Sequence, residues 1–219
     1  MKYLKYFEND VNYSSSNLTT LMGSYIPKSI YGDFICSLND LTSLEFCPKI
    51  VDGDFKCSWN QITSLEFCPE KVGRNFSCRN NELTSLEHCP KNINGYFECR
   101  DNQLTSLEYC PEKIGGRFDC SYNQLTSLEF CPEYVGGDFH TYSNPWTNPI
   151  PYNIIVKLNT KKSYLYTDEQ TLKFGSYEYQ KEFLANTPEK YKDLEILGYN
   201  VKIKDEFDWL FNAADMGLM

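Results

Sequence analysis

The feature that most constrains this chain is a 21-residue period carried by its cysteines. Cys36, Cys57, Cys78, Cys99 and Cys120 are each 21 residues apart, and so are Cys47, Cys68, Cys89, Cys110 and Cys131. Around them the chain repeats one phrase, G-x-F-x-C-x-x-N-x-L-T-S-L-E-x-C-P-x-x-V, with small variations. A unit this short cannot bury its own apolar face. It needs copies of itself above and below, so the chain is expected to build a solenoid.

Each slot of the phrase has a physical task. In GDFKCSWN (53–60), Phe55 and Cys57 alternate with Asp54, Lys56 and Ser58, the period of a short strand with one face buried. Asn60 and its copies Asn39, Asn81, Asn102 and Asn123 stand where the chain must turn. An Asn amide both donates to and accepts from backbone groups, so it can satisfy turn groups of adjacent coils. Ile62 and Leu65, with Leu41, Leu44, Leu83, Leu86, Leu104, Leu107, Leu125 and Leu128, are expected to point inward. Cys-Pro closes the far side, where Pro stops any long helix. A Val or Ile followed by Gly returns the chain to the next strand.

The end units depart from the phrase, as the open ends of a solenoid require. YIPKSIYGDF (25–34) has Ile26 in the Cys slot, and VNYSSSNLTTL (11–21) is a degraded copy with a length change. GGDFHTYSNPW (136–146) puts Thr141 where Cys is expected, and Pro145, Pro149 and Pro151 then end the pattern.

A strand followed by the asparagine turn and a leucine resembles the leucine-rich-repeat superfamily, with Phe and Cys at strand positions that are usually Leu. In particular the chain resembles the short Cys-containing repeats of phage and large DNA virus proteins. The resemblance covers roughly residues 11–156. It implies a repeat solenoid with parallel short strands on one face, closed by a small α-helical C-terminal cap. The expected organisation is an N-terminal capping coil over 1–30, a solenoid over 31–156 and a helical region over 157–219.

In that last region TDEQ (167–170) reads as a capping box. TPEKYKDLEILG has a Thr cap, Pro at the first helical position and a Gly stop. VKIK reads as extended, and DEFDWLFNAADMGLM as a last helix. These helices either cover the last coil or dock a partner or a second copy through Phe207, Trp209, Leu210 and Phe211.

Three roles are open for the ten cysteines. They can be reduced thiols filling core slots, because free Cys behaves as a small hydrophobe. Disulfides between stacked coils are within geometric reach, but each column has five members and pairing would leave one over. Zinc sites favour C-x2-C pairs, and none occurs. Ile26 and Thr141 in equivalent slots favour filler over sulfur chemistry.

Catalysis has little support. The chain has two histidines, His88 and His140, neither beside a plausible activated Ser or Cys, and no Gly-rich phosphate loop. No enzyme activity, catalytic residue, cofactor or metal is expected. A net charge of −9 works against nucleic acid and anionic membrane surfaces as partners. The start, MKYLKYFEND, lacks the apolar core of a signal peptide, so a cytoplasmic location is expected, the host's if the protein is viral.

Function is therefore sought in slots that vary from coil to coil while the scaffold slots stay constant. The expected role is non-enzymatic binding of a partner protein on the strand-bearing face. The candidate contacts are Lys56, Trp59, Arg79, Tyr96, Glu98, Arg100, Arg117, Asp119 and Tyr122. Exposed aromatics and Arg are the side chains that most often dominate interfaces. Against this, Trp59 or Tyr122 can simply cover a neighbouring coil, and Arg79 and Arg100 can balance Glu98 and Asp101. If the viral resemblance holds, the partner is a host protein, inhibited or sequestered. The rival is a structural or assembly role with self-association through the C-terminal helices; the oligomeric state is left open. The constant Glu45, Glu66, Glu87, Glu108 and Glu129 are expected as a solvated stripe, and the aromatics after them as a stacked ladder.

Overall fold

The computed structural model describes residues 10–23, 26–145, 164–167 and 200–203. They form a parallel β-solenoid of about six turns. The main sheet runs in the order β1 (Val11–Asn12), β3 (Phe34–Ile35), β5 (Phe55–Lys56), β7 (Phe76–Ser77), β9 (Phe97–Glu98), β11 (Phe118–Asp119), β13 (Phe139–His140), β14 (Tyr164–Thr167) and β15 (Asn200–Ile203). Phe34 pairs with Phe55, Phe55 with Phe76 and Phe76 with Phe97, so the 21-residue period is also the register. The first coil is two residues longer, with Val11 opposite Phe34.

Strands form on two sides of each coil, where the sequence reading expected one. The second set comprises β2 (Ser29–Ile30), β4 (Ile50–Val51) and β6 (Lys71–Val72), then β8 (Asn92–Ile93), β10 (Lys113–Ile114) and β12 (Tyr134–Val135), in two separate three-stranded sheets. The break between β6 and β8 falls at Asn94; a side chain at this position does not by itself part the sheet, because Asp52 stands in the same column and still donates its N–H to Ile30 O. Asn94 takes the position held by Gly73, Gly115 and Gly136 in other coils. A Cβ on Gly115 would lie 2.1 Å from the Asn94 carbonyl oxygen, and one on Gly136 would lie 2.1 Å from that of Gly115. The Asn94 side chain instead donates to the Gly73 carbonyl at 3.1 Å, where Gly115 and Gly136 donate their backbone N–H to the preceding coil.

The core is built of columns. Phe34, Phe55, Phe76, Phe97, Phe118 and Phe139 are fully buried and touch in sequence, with ring centroids 4.7–6.0 Å apart. The leucine columns and the Val/Ile column close the other two sides. Asn102 shows how the corner asparagines work. Its amide donates to Cys99 O at 3.0 Å in its own coil and to Cys78 O at 3.1 Å in the preceding one, and its Oδ1 accepts the Leu83 N–H at 3.0 Å. Asn60, Asn81, Asn123 and Asn144 repeat the clamp. The serine of each T-S-L-E phrase also has a role. Ser43, Ser64, Ser85, Ser106 and Ser127 each accept the N–H of the glutamate two residues on.

All ten cysteines are free. Those of the first register are fully buried. In the second register Cys68 and Cys131 are buried, while Cys47, Cys89 and Cys110 keep some residue surface at a corner with their thiols among core atoms. Burial pushes the thiols of Cys57, Cys78, Cys99 and Cys120 well up from the usual range, and that of Cys68 to about 12. An uncharged, inaccessible thiol is a poor nucleophile.

The helical cap expected over 157–219 lies outside the described residues, apart from Tyr164–Thr167 and Asn200–Ile203. Those two segments are strands that extend the main sheet in parallel, and the second coincides with the VKIK stretch read as extended. Phe207, Trp209, Leu210 and Phe211 also lie outside the described residues.

Candidate partner-binding surfaces

The strand-bearing side is more interlocked than its alternating sequence implies. A ladder of carboxylate and amide oxygens runs up one edge. Asp10 accepts the Asp33 N–H, Asp33 that of Asp54, Asp54 that of Asn75, and Asn75 that of Tyr96, at 2.7–3.2 Å. Lys56 Nζ sits 2.9 Å from Asp54 Oδ2. Burial works to raise the Asp54 pKa, but Lys56, the Asn75 N–H and Arg74 outweigh it and hold the carboxyl below its usual value. The hydrogen bond that Lys56 donates to Asp54 in turn pushes its ammonium up. Tyr96 is half-buried, and burial pushes its phenol up against the opposing pull of Lys56.

Glu98 and Asp119, expected among the exposed contacts, are only 8% and 7% exposed. Glu98 accepts from Ser77 Oγ at 3.0 Å and pairs with Arg117. Asp119 accepts the Ser121 N–H at 3.1 Å and lies 4.0 Å from Arg100, which also pairs with Asp101 at 3.2 Å. The reason is spacing. Coils stack about 4.8 Å apart, less than the reach of an Arg side chain, so long side chains lie across short neighbours. Arg100 therefore does balance acids, though Asp119 takes the place expected of Glu98. Arg79 has no carboxylate partner among the described residues.

Two further columns, which include the expected contacts Trp59 and Tyr122 and the expected aromatic ladder, sit at corners of the coil. Leu38, Trp59, Asn80, Asp101, Tyr122 and Ser143 all adopt left-handed backbone, with φ between 52° and 59°. Phe46, Phe67, His88, Tyr109 and Phe130 do the same at the next corner, with φ between 62° and 73°. Gly23, in the first coil, also has positive φ, at 85°. Gly, Asn and Asp tolerate this region, and other L-residues lose about 1–2 kcal/mol in it. The clue was in the sequence: an Asn or an Asp sharing a column with bulky residues marks a left-handed corner.

At these corners the large apolar side chains are exposed. Leu38 is 53% exposed, Trp59 49% and Tyr122 46%. The expected aromatic ladder at the second corner does not form. Its rings are exposed one by one, and the ring contacts among the described residues run through the core phenylalanines, with Tyr13 against Phe34 and His140 against Tyr142 at the ends. Burial pushes the His140 imidazole below its usual value. Asn80 Oδ1 is shut away from solvent without a donor among the described residues.

Among the described residues no cluster of three or more His, Cys, Asp or Glu is placed to hold a metal ion. No helix among them is long and apolar enough to cross a membrane. The fold and surfaces define a class, the parallel β-solenoid with repeats of about 21 residues. Comparison with protein-family models, with curated proteins and with solved structures finds no match to the chain.

Proposed function

We propose that this chain is a non-enzymatic module that binds a partner protein along the edge of its strand-bearing side. One observation carries this. Leu38, Trp59 and Tyr122 occupy left-handed corners and expose large apolar surfaces, while Asn80 and Asp101 mark the chemistry that suits the same corner. Each of the three costs folding energy in backbone conformation and leaves apolar area in water. Residues that cost stability without packing inside serve contacts outside. Arg79, half-buried and without an acid partner among the described residues, lies between Trp59 and Tyr122 in the stack and adds a planar cationic donor.

In its narrower form the module is a viral protein that occupies a host protein. That form rests on the resemblance to the Cys-containing repeats of phages and large DNA viruses.

The test is a capture experiment comparing the native chain with a Trp59→Gly, Arg79→Ala, Tyr122→Gly variant. Glycine removes each ring while suiting the left-handed backbone, so the variant is expected to keep its circular dichroism spectrum. Partners retained by the native chain and lost by the variant support the proposal. Equal retention by both refutes this edge as the binding surface.

A further inference from the structure

The second corner carries a different chemistry from the Trp59 edge. Phe46, Phe67, Tyr109 and Phe130 are 43–57% exposed in left-handed backbone, a conformation that suits glycine. Beside them run Glu45, Glu66, Glu87, Glu108 and Glu129, all exposed. The two columns interact: the Glu108 and Glu87 carboxylates push the Tyr109 phenol up, and Glu87 lies 4.0 Å from His88.

Elsewhere the protein pairs opposite charges from coil to coil. Lys49 reaches Glu70 at 3.3 Å and Lys91 reaches Glu112 at 3.0 Å, on the adjoining side of the same coils. The glutamate column has no such alternation, and no Lys or Arg among the described residues pairs with it. Five like charges therefore stack at about 4.8 Å spacing, with adjacent pairs repelling by roughly 1 kcal/mol in water. Aromatic faces and carboxylates share one complement, a cation carried on an apolar stem. A second copy of this surface would bring acid against acid.

We propose that this corner docks an extended basic segment of a partner protein, its Lys or Arg side chains lying over the rings and against the glutamates. Spacing narrows the segment. An extended polyproline-type strand advances about 3.1 Å per residue, so every third residue advances about 9.3 Å, close to two coils. Basic residues at i, i+3 and i+6 thus reach the first, third and fifth coils of the column. The surface is separate from the Trp59 edge and does not depend on it.

The probe is a fluorescent heptapeptide, Arg-Pro-Pro-Arg-Pro-Pro-Arg, followed by anisotropy. The controls are the same peptide with Gln for Arg, and maltoheptaose as a neutral ring-stacking ligand. The native protein is expected to bind the Arg peptide at least roughly tenfold tighter than the Gln peptide. Phe46→Gly with Phe130→Gly is expected to weaken binding by about tenfold or more while holding or raising the thermal midpoint. Glu45→Gln, Glu87→Gln and Glu129→Gln together are expected to weaken it as much and to reduce its salt dependence. Trp59→Gly with Tyr122→Gly should leave it unchanged. The proposal is overturned by no Arg-peptide binding at about 1 mM, by full affinity in either corner variant, by loss in the Trp59 variant, or by maltoheptaose binding where the Arg peptide does not.

Discussion

Alkali should unfold this protein through its sulfur atoms. An unfolded thiol ionises near pH 9.0, and in the folded chain burial raises Cys47, Cys57, Cys68, Cys78, Cys89, Cys99, Cys110 and Cys120 above that value. The folded pKa is the higher one, so the stabilising contribution is complete below pH 9. It is lost as the pH climbs from 9 toward the folded value, about 12 for Cys68. One such thiol costs under about 1 kcal/mol of stability at pH 9 and roughly 1–2 kcal/mol at pH 10. Eight together cost several kcal/mol at pH 9 and on the order of 10 kcal/mol at pH 10, against a typical domain stability of about 5–15 kcal/mol. Cooperative unfolding is therefore expected between about pH 9 and 10.5 in the presence of a reductant. Circular dichroism reports the fold and ultraviolet absorbance the thiolate, and the two should change together. Replacing Cys57, Cys78 and Cys99 with Val should move the midpoint to higher pH. Their column already accepts Thr141, so the volume change is tolerable. A native spectrum persisting at about pH 11, or thiolate appearing while the fold stays intact, would refute the coupling of core burial to thiol ionisation.

Three other outcomes follow from single contacts. Asn102→Ala leaves the Leu83 N–H without its acceptor and takes one of two amide donors from each of the Cys78 and Cys99 carbonyls, which keep Asn81 and Asn123, and urea titration should show a loss of about 2–3 kcal/mol. Gly115→Ala places a methyl against the Asn94 carbonyl; it should part the rung from Gly115 to Ile93, cost about 2 kcal/mol and speed hydrogen exchange at Gly115 and its neighbours. Arg117→Ala leaves the buried Glu98 carboxylate with Ser77 alone; the midpoint in urea should fall by an amount equal to about 2 kcal/mol, and Glu98→Gln in the same background should recover part of it.

How much of this was legible before folding depends on whether a property belongs to the coil or to the stack. The period, the strand register, the Phe and Leu columns and the asparagine clamp were readable. Each repeats with the sequence, and a unit that cannot close its own core leaves one way to stack. The cysteines were readable as filler because Ile26 and Thr141 occupy their slots.

What only the tertiary structure decided lies between coils and at corners. Stacking brings residues 21 apart to about 5 Å, so the exposure of Glu98 and Asp119 depends on which long side chain happens to lie above them. Alternation along one strand cannot show that. The side sheet divides at Asn94, whose side chain donates to the Gly73 carbonyl of the preceding coil, a contact between coils that no single repeat shows. The left-handed corners arise from closing a three-sided coil with a chain that bends too sharply for ordinary backbone. Seating Trp59, Tyr122 and the Phe46 column there, where glycine would fit, turns residues that alternation assigned to the scaffold or left ambiguous into the exposed surface of the molecule.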